Sequence, residues 1–497
     1  MRRSHFIAGA SALGIAGCTS GSGTTGVGPL PVSGVGPGHV ADLRWHFAPL
    51  PTAGNGYDPL GDASALILPT SPSPATNPIP GVQVTGSYAA DERYVIRVPD
   101  AWNGKLVVIG TPAFRSEFAN DGIWQDYLLS LGYATACSNK GVPFNAIAET
   151  IASSPNSNVN FPIDFDLASL ETLKFSYRLG AIYPNKKPIA GWNDDFYQLT
   201  VFAKNYLAQN YKAPTRTYAV GTSNGGAQVR SLLEQHPEVV DGGAEVEGVY
   251  WSPTLSLLDY MPKFLKAMPA YVASGFTDPV SAAAIVAAGY PADVKSGVSG
   301  HPSLWFEYYA GQASFYTDLT VFGYALLVDP LAASTLPSTA AFTPNAVNPA
   351  RLPGTPSAGV TGLADPVVRQ NYAPSAAGRA AIGAFAHTGN IKKPLVSVAG
   401  SADMFVTPAN NATPYLNAVN AAGKGSMYWQ YIVKGGTHVD TFADPTWGYG
   451  LQPQLTFGWA AFAELVSIVE GGAKPAGAGT QQTVQNATEI HAKARTV

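Results

Sequence analysis

The sequence predicts an α/β protein with a mostly parallel central sheet. Three observations point there. Short apolar runs read as strands: Leu106-Val107-Val108-Ile109-Gly110, Thr217-Tyr218-Ala219-Val220, Lys393 to Gly400 and Met427 to Val433. Segments of helical period lie between them, such as Asp195 to Tyr206, where Phe196, Leu199, Phe202 and Tyr206 mark a buried face. Polar residues with chemical potential fall just past the C-terminal ends of these strands, where open α/β sheets place their ligands.

Taken in order, the chain begins with Met1-Arg2-Arg3, a basic leader, and a short apolar stretch from Phe6 to Gly14, too short to cross a membrane as a helix. Ile15-Ala16-Gly17-Cys18 matches the bacterial lipoprotein signal, in which the cysteine is lipidated and becomes the mature N-terminus. Residues 1–18 are therefore expected to be a signal segment with Cys18 as the lipid attachment site. The chain would be exported and anchored at the outer membrane or cell surface; an ordinary cleaved signal would make it secreted. Residues 19–38 are dominated by uncharged Gly, Ser, Thr and Pro and read as a tether; about 20 flexible residues span roughly 25 Å. Residues 39–250 form the first part of the α/β core, with Arg93 to Pro99, Trp102 to Gly110 and Leu131 to Ala136 as early elements. Val142 to Gly191 reads as an irregular insertion. Residues 251–393 exceed what a plain core needs and read as a large lid insertion, 394–470 as the second part of the core, and 471–497 as a loose, small-residue tail. The aromatics of the large insertion, Trp305-Phe306-Glu307-Tyr308-Tyr309, Phe315-Tyr316 and Phe322-Gly323-Tyr324, are either a wall over the site or the insertion's own core.

The strongest chemical signal is Gly221-Thr222-Ser223-Asn224-Gly225-Gly226, a G-x-S-x-G between the Thr217 strand and the helical run Ala227 to Leu233. A sharp strand-to-helix turn lifts a serine hydroxyl above the sheet, and flanking glycines let the backbone turn. A serine is a weak nucleophile until a base takes its proton, and the base needs an orienting acid. In strand–turn–helix nucleophile folds the chain order is Ser, acid, His. Asp403 follows the strand ending at Gly400, and His438 follows the strand ending at Val433, within Gly435-Gly436-Thr437-His438. Asp278 and the adjacent Asp440 are rival acids. The oxyanion of a tetrahedral intermediate would be met by the N–H of Asn224 and one from the loop Thr111-Pro112-Ala113-Phe114-Arg115. Pro112 has no N–H, so Thr111, Ala113 or Phe114 must donate, and Ala113 is favoured.

From about Tyr94 to about Phe462 these motifs resemble a bacterial α/β-hydrolase serine esterase, nearest the tannase/feruloyl-esterase group and the hydrolases of polyhydroxybutyrate and its oligomers. The resemblance implies the α/β-hydrolase fold, carboxylic-ester substrates including hydroxyalkanoate oligomers or polymers, a Ser223–His438–Asp403 triad and no cofactor. Tannase-type enzymes carry cysteines beside the nucleophile and the histidine; here Thr222 and Thr437 stand in those places. A peptidase or amidase on the same fold, and a binding protein that has lost the chemistry, remain alternatives.

Composition narrows the field. The 497 residues are 46% hydrophobic and only 12% charged, with a net charge of −4 and no basic block, which argues against nucleic acid as a partner. The sequence has no H-E-x-x-H, no paired C-x-x-C and no dinucleotide fingerprint, so neither metal nor cofactor is expected. With Cys18 lipidated or removed, Cys137 has no disulfide partner and reads as a packed core thiol.

Overall fold

The computed structural model describes residues 38–44, 77–89, 92–113, 117–141, 144–146, 161–165, 173–177, 189–309, 314–334, 363 and 366–492. The leader, Cys18 and the tether up to residue 37 lie outside the described residues, as does Phe114.

The strands are β1 (Gly38–Val40), β2 (Gly81–Ala89), β3 (Glu92–Pro99), β4 (Lys105–Gly110), β5 (Ala134–Ser138), β6 (Phe144–Ala146), β7 (Phe161–Phe165), β8 (Leu173–Tyr177), β9 (Arg216–Thr222), β10 (Gly242–Val246), β11 (Leu395–Gly400), β12 (Tyr428–Val433) and β13 (Gln481–Val484). Ten of them make one sheet in the order β1-β2-β3-β5-β4-β9-β10-β11-β12-β13. The pairings β1/β2, β2/β3 and β3/β5 are antiparallel. Every pairing from β5 to β13 is parallel. Antiparallel strands at one edge, the exchanged positions of β4 and β5, and the parallel run beyond them constitute the α/β-hydrolase fold.

The parallel strands are buried on both faces, which is why they read as apolar runs. Alternation still sorts their side chains. Val107, Ile109, Tyr218 and Val220 join one core, and Leu106, Val108 and Ala219 join the other. Helix α1 (Ile189–Asn210) brings Phe196, Leu199 and Leu207 to the second core, and α2 (Asn224–Gln235) adds Val229, Leu232 and Leu233. Between β10 and β11 the chain builds a helical insertion whose principal members are α3 (Leu257–Ala273) and α4 (Ser314–Val328). The first core continues into it through Leu257, Phe264, Tyr308 and Tyr324, and is closed from below by Phe457, Phe462 and Leu465 of α5 (Leu455–Val469).

Three expectations change. The 142–191 stretch, read as irregular, contains β6, β7 and β8, which pair antiparallel in a separate small sheet. Helix α1 starts at Ile189 rather than Asp195, because Ile189 and Trp192 extend its buried stripe toward the N-terminus. The 471–497 stretch is no loose tail where it is described: β13 adds to β12, and a short helix, Thr488–Ala492, follows. An edge strand reading Gln-Gln-Thr-Val buries only Val484, so main-chain hydrogen bonds rather than side chains hold it, and its pattern carries no signal.

Candidate active site

Ser223 stands between the end of β9 and the start of α2 with φ 59° and ψ −120°. A non-glycine residue at this φ is strained and persists only where its surroundings impose it. The surroundings do so through main-chain bonds: Ser223 N–H donates to Val246 O at 2.9 Å, and Ser223 O accepts from Val249 N–H at 3.2 Å. The glycines explain how the turn fits. A Cβ on Gly225 would lie 2.2 Å from Gly110 O, so the end of β4 and the first turn of α2 touch backbone to backbone. This contact sets the loop after β4 directly against the N-terminus of α2, whose first N–H groups have no intrahelical partner.

Asp403 and His438 meet across the ends of β11 and β12. His438 Nδ1–H donates to Asp403 Oδ2 at 2.8 Å, which leaves Nε2 free to act as the base. Asp403 is fully buried, and its Oδ1 accepts from the N–H groups of Phe405 (2.6 Å) and Val406 (2.9 Å). Burial alone would raise its pKa; the neighbouring His438 and these donors outweigh burial and hold Asp403 below its ordinary value. Thr222, the residue before Ser223, and His438 line one pocket together with Trp124, Val246, Val439 and Leu455. Among the described residues no hydrogen bond joins Ser223 Oγ to His438; in unliganded enzymes this contact is often long and tightens when substrate binds.

The rival acids have other work. Asp278 caps the helix Pro279–Ala287, accepting from Ser281 N–H at 2.9 Å. Asp440 accepts from the N–H groups of Gln454 (2.6 Å) and Leu455 (3.1 Å) at the start of α5. His387 is a core histidine: Nδ1 accepts from Trp251 N–H at 3.1 Å, Nε2–H donates to Ala227 O at 3.1 Å, and burial pushes its pKa down to about 4. Cys137 is a buried thiol, pushed by that burial up to about 12, as a packed rather than reactive cysteine should be.

The loop after β4 distinguishes the candidate donors. Thr111 N–H is taken by Gln228 Oε1 at 3.0 Å, which removes Thr111 from the three candidates. Ala113 sits at φ 37°, and among the described residues its N–H has no acceptor. Thr222 and Thr437 bond different partners. Thr222 Oγ1 accepts from Trp124 Nε1–H at 3.1 Å, whereas Thr437 Oγ1 lies 3.3 Å from the hydroxyl of Tyr308. The insertion also reaches the residue after Ser223, since the Asn224 side-chain amide donates to the hydroxyl of Tyr324. Tyr308 and Tyr324 are thus both core members of the insertion and neighbours of the site.

Two site residues escaped sequence reasoning. Glu247, just past β10 at φ 53°, is fully buried beside Asp403, and its carboxyl accepts from Gly400 N–H. Burial, then the charge of Asp403, pushes Glu247 well above the ordinary carboxyl range, which favours its protonated form. Lys140, just past β5, is completely buried against the oxyanion loop. Their only sequence cue is a charged residue at a strand end, which a solvated loop shares.

No family model matches this chain, and no curated protein matches it. Among solved structures it is similar to feruloyl esterase B from Aspergillus oryzae, at 14% identity over 75% of this chain and 77% of that one, with a TM-score of 0.38. It is also similar to tannin acyl hydrolase from Aspergillus niger, at 13% identity over 80% of each chain and a TM-score of 0.38. A third similarity is to acylaminoacyl peptidase from Pyrococcus horikoshii, at 10% identity over 84% of this chain but 44% of that one, with a TM-score of 0.38. The fold rests on the strand order of the chain itself.

Proposed function

We propose that this chain is a serine hydrolase of carboxylic esters. The observation that carries the reading is the conjunction of a strained serine elbow at Ser223 with a buried Asp403–His438 pair at neighbouring strand ends. Ser223 Oγ attacks the ester carbonyl carbon while His438 Nε2 takes its proton. The tetrahedral oxyanion is met by the N–H groups of Asn224 and Ala113. Collapse expels the alcohol, which receives the proton from His438. Water, deprotonated by the same nitrogen, then cleaves the acyl-enzyme and frees the acid. Asp403 holds the tautomer in which Nε2 carries the lone pair and stabilises the imidazolium that forms. Hydroxyalkanoate oligomers or polymers are the substrates we favour, with the insertion between β10 and β11 serving as a lid. Export and lipid attachment at Cys18 would hold the enzyme at a membrane surface; loss of membrane partitioning in Cys18→Ala tests that part.

The activity is tested with p-nitrophenyl esters of increasing chain length beside hydroxybutyrate oligomers. Ser223→Ala is expected to abolish turnover while leaving the thermal unfolding midpoint near that of the wild type. Equal turnover in that variant would refute the nucleophile. Aminoacyl anilides cleaved as fast as short esters would move the assignment to peptidase.

A further inference from the structure

Lys140 is an unusual place for a charge. The side chain is wholly buried, and an ammonium is costly to remove from water unless its donors are used. Two of its contacts go to one short segment. Nζ donates to Thr111 O at 2.7 Å and to Ala113 O at 2.5 Å, and it lies 4.3 Å from the centre of the Trp192 ring. The turn that presents it is itself held. Asn139 Oδ1 accepts from Gly141 N–H at 3.0 Å and from Arg93 N–H at 2.8 Å, and Lys140 takes a left-handed φ of 59° between them.

We propose that Lys140 is a positioning residue that clamps the oxyanion loop, fixing the direction of the Ala113 N–H by holding the carbonyl groups on either side of it. The inference rests on the esterase reading above. The Ala113 N–H belongs to the Pro112–Ala113 peptide, and the peptides before and after it are those whose oxygens Lys140 holds. Pro112 has a ring-fixed φ, so with both flanking carbonyl groups held the middle peptide can turn only by a paired change of Pro112 ψ and Ala113 φ. The root of the loop is fastened separately. Thr111 N–H donates to Gln228, Thr111 Oγ1 bonds Ser138 O, and Asn120 Nδ2 donates to Gly110 O at 3.1 Å. Those bonds fix where the loop starts; the Lys140 contact to Ala113 O reaches its working end. An aimed, pre-set donor is what an oxyanion site requires, because donors that must reorganise during the reaction lose most of their benefit. The buried positive charge also favours negative charge developing nearby.

The test compares Lys140→Met with wild type by ester kinetics, thermal unfolding and inhibition by an alkyl trifluoromethyl ketone. That ketone accepts Ser223 Oγ at its carbonyl and so forms a hemiketal whose oxygen occupies the oxyanion site. The clamp predicts a fall in kcat of about 10²-fold, a KM within about threefold of wild type, and a matching loss of ketone affinity in a folded protein. A folded Lys140→Met with wild-type kcat and wild-type ketone affinity overturns the clamp alone. An inactive wild type that also fails to react with a fluorophosphonate overturns the esterase reading and the clamp with it. Should Lys140→Met fail to fold, Lys140→Gln, uncharged and one atom shorter, carries the test: a kcat lowered about tenfold at unchanged KM supports the clamp, and unchanged kcat overturns it.

Discussion

The two sides of Ser223 are built by different means. On one side, Asp403 and His438 meet through side chains, at 2.8 Å, over the ends of adjacent parallel strands. On the other, the proposed oxyanion donors are main-chain N–H groups, and side chains enter only as braces behind them: Gln228 on Thr111 N–H, Asn120 on Gly110 O, Lys140 on Thr111 O and Ala113 O. The acid–base side depends on what residues are present; the oxyanion side depends on where the backbone is held. Substitutions should therefore be decisive on the first side and graded on the second.

The largest effect that would sharpen this contrast is at Asp403. Asp403→Asn keeps the shape but no longer requires the His438 tautomer with a free Nε2, and kcat is expected to fall by about 10⁴-fold. Steady-state kinetics at neutral pH on a folded variant checks it, and a loss of less than tenfold would return the role of the acid to another carboxylate. Next comes Gln228→Leu, which frees Thr111 N–H and loosens the root of the oxyanion loop without touching a donor. A kcat decrease of about tenfold with little change in KM is expected, smaller than the loss from deleting an oxyanion donor outright; an equal decrease in Asp403→Asn and Gln228→Leu would erase the distinction between the two sides. The smallest effect belongs to Glu247→Gln. The upward shift of Glu247 favours a neutral carboxyl, and a glutamine presents Asp403 with a similar neutral donor, so kcat should stay within about threefold of wild type. A large loss would show that Glu247 acts as a charge, and would move the acid–base side from one carboxylate to a coupled pair.

The same division explains what the sequence discloses. The parallel strands are legible because they are continuous apolar runs, and the elbow because Gly221, Gly225 and Gly226 have to be glycine where backbone meets backbone. Asp403 and His438 are legible because a polar residue after a strand and a glycine is an exception in its own neighbourhood. Ala113 could be favoured only by removing Pro112, and it took the Gln228 contact to remove Thr111. Glu247 and Lys140 are silent because burial, not residue type, gives them their roles, and burial follows from the packing of segments distant in sequence. The strand β13 is silent for a related reason: Gln481, Gln482 and Thr483 pair through their main chain and show no hydrophobic pattern.

The contacts of the insertion have a consequence for anyone who would pare this enzyme to a minimal catalyst. Tyr324 binds the side chain of the residue after the nucleophile, and Tyr308 meets the residue before the histidine. Excising residues 251–393 would strip the residues next to Ser223 and His438 of both hydroxyl contacts. The segment that looks most dispensable by length is a structural keystone, and a shortened version would have to replace those two hydroxyl contacts before it could replace anything else.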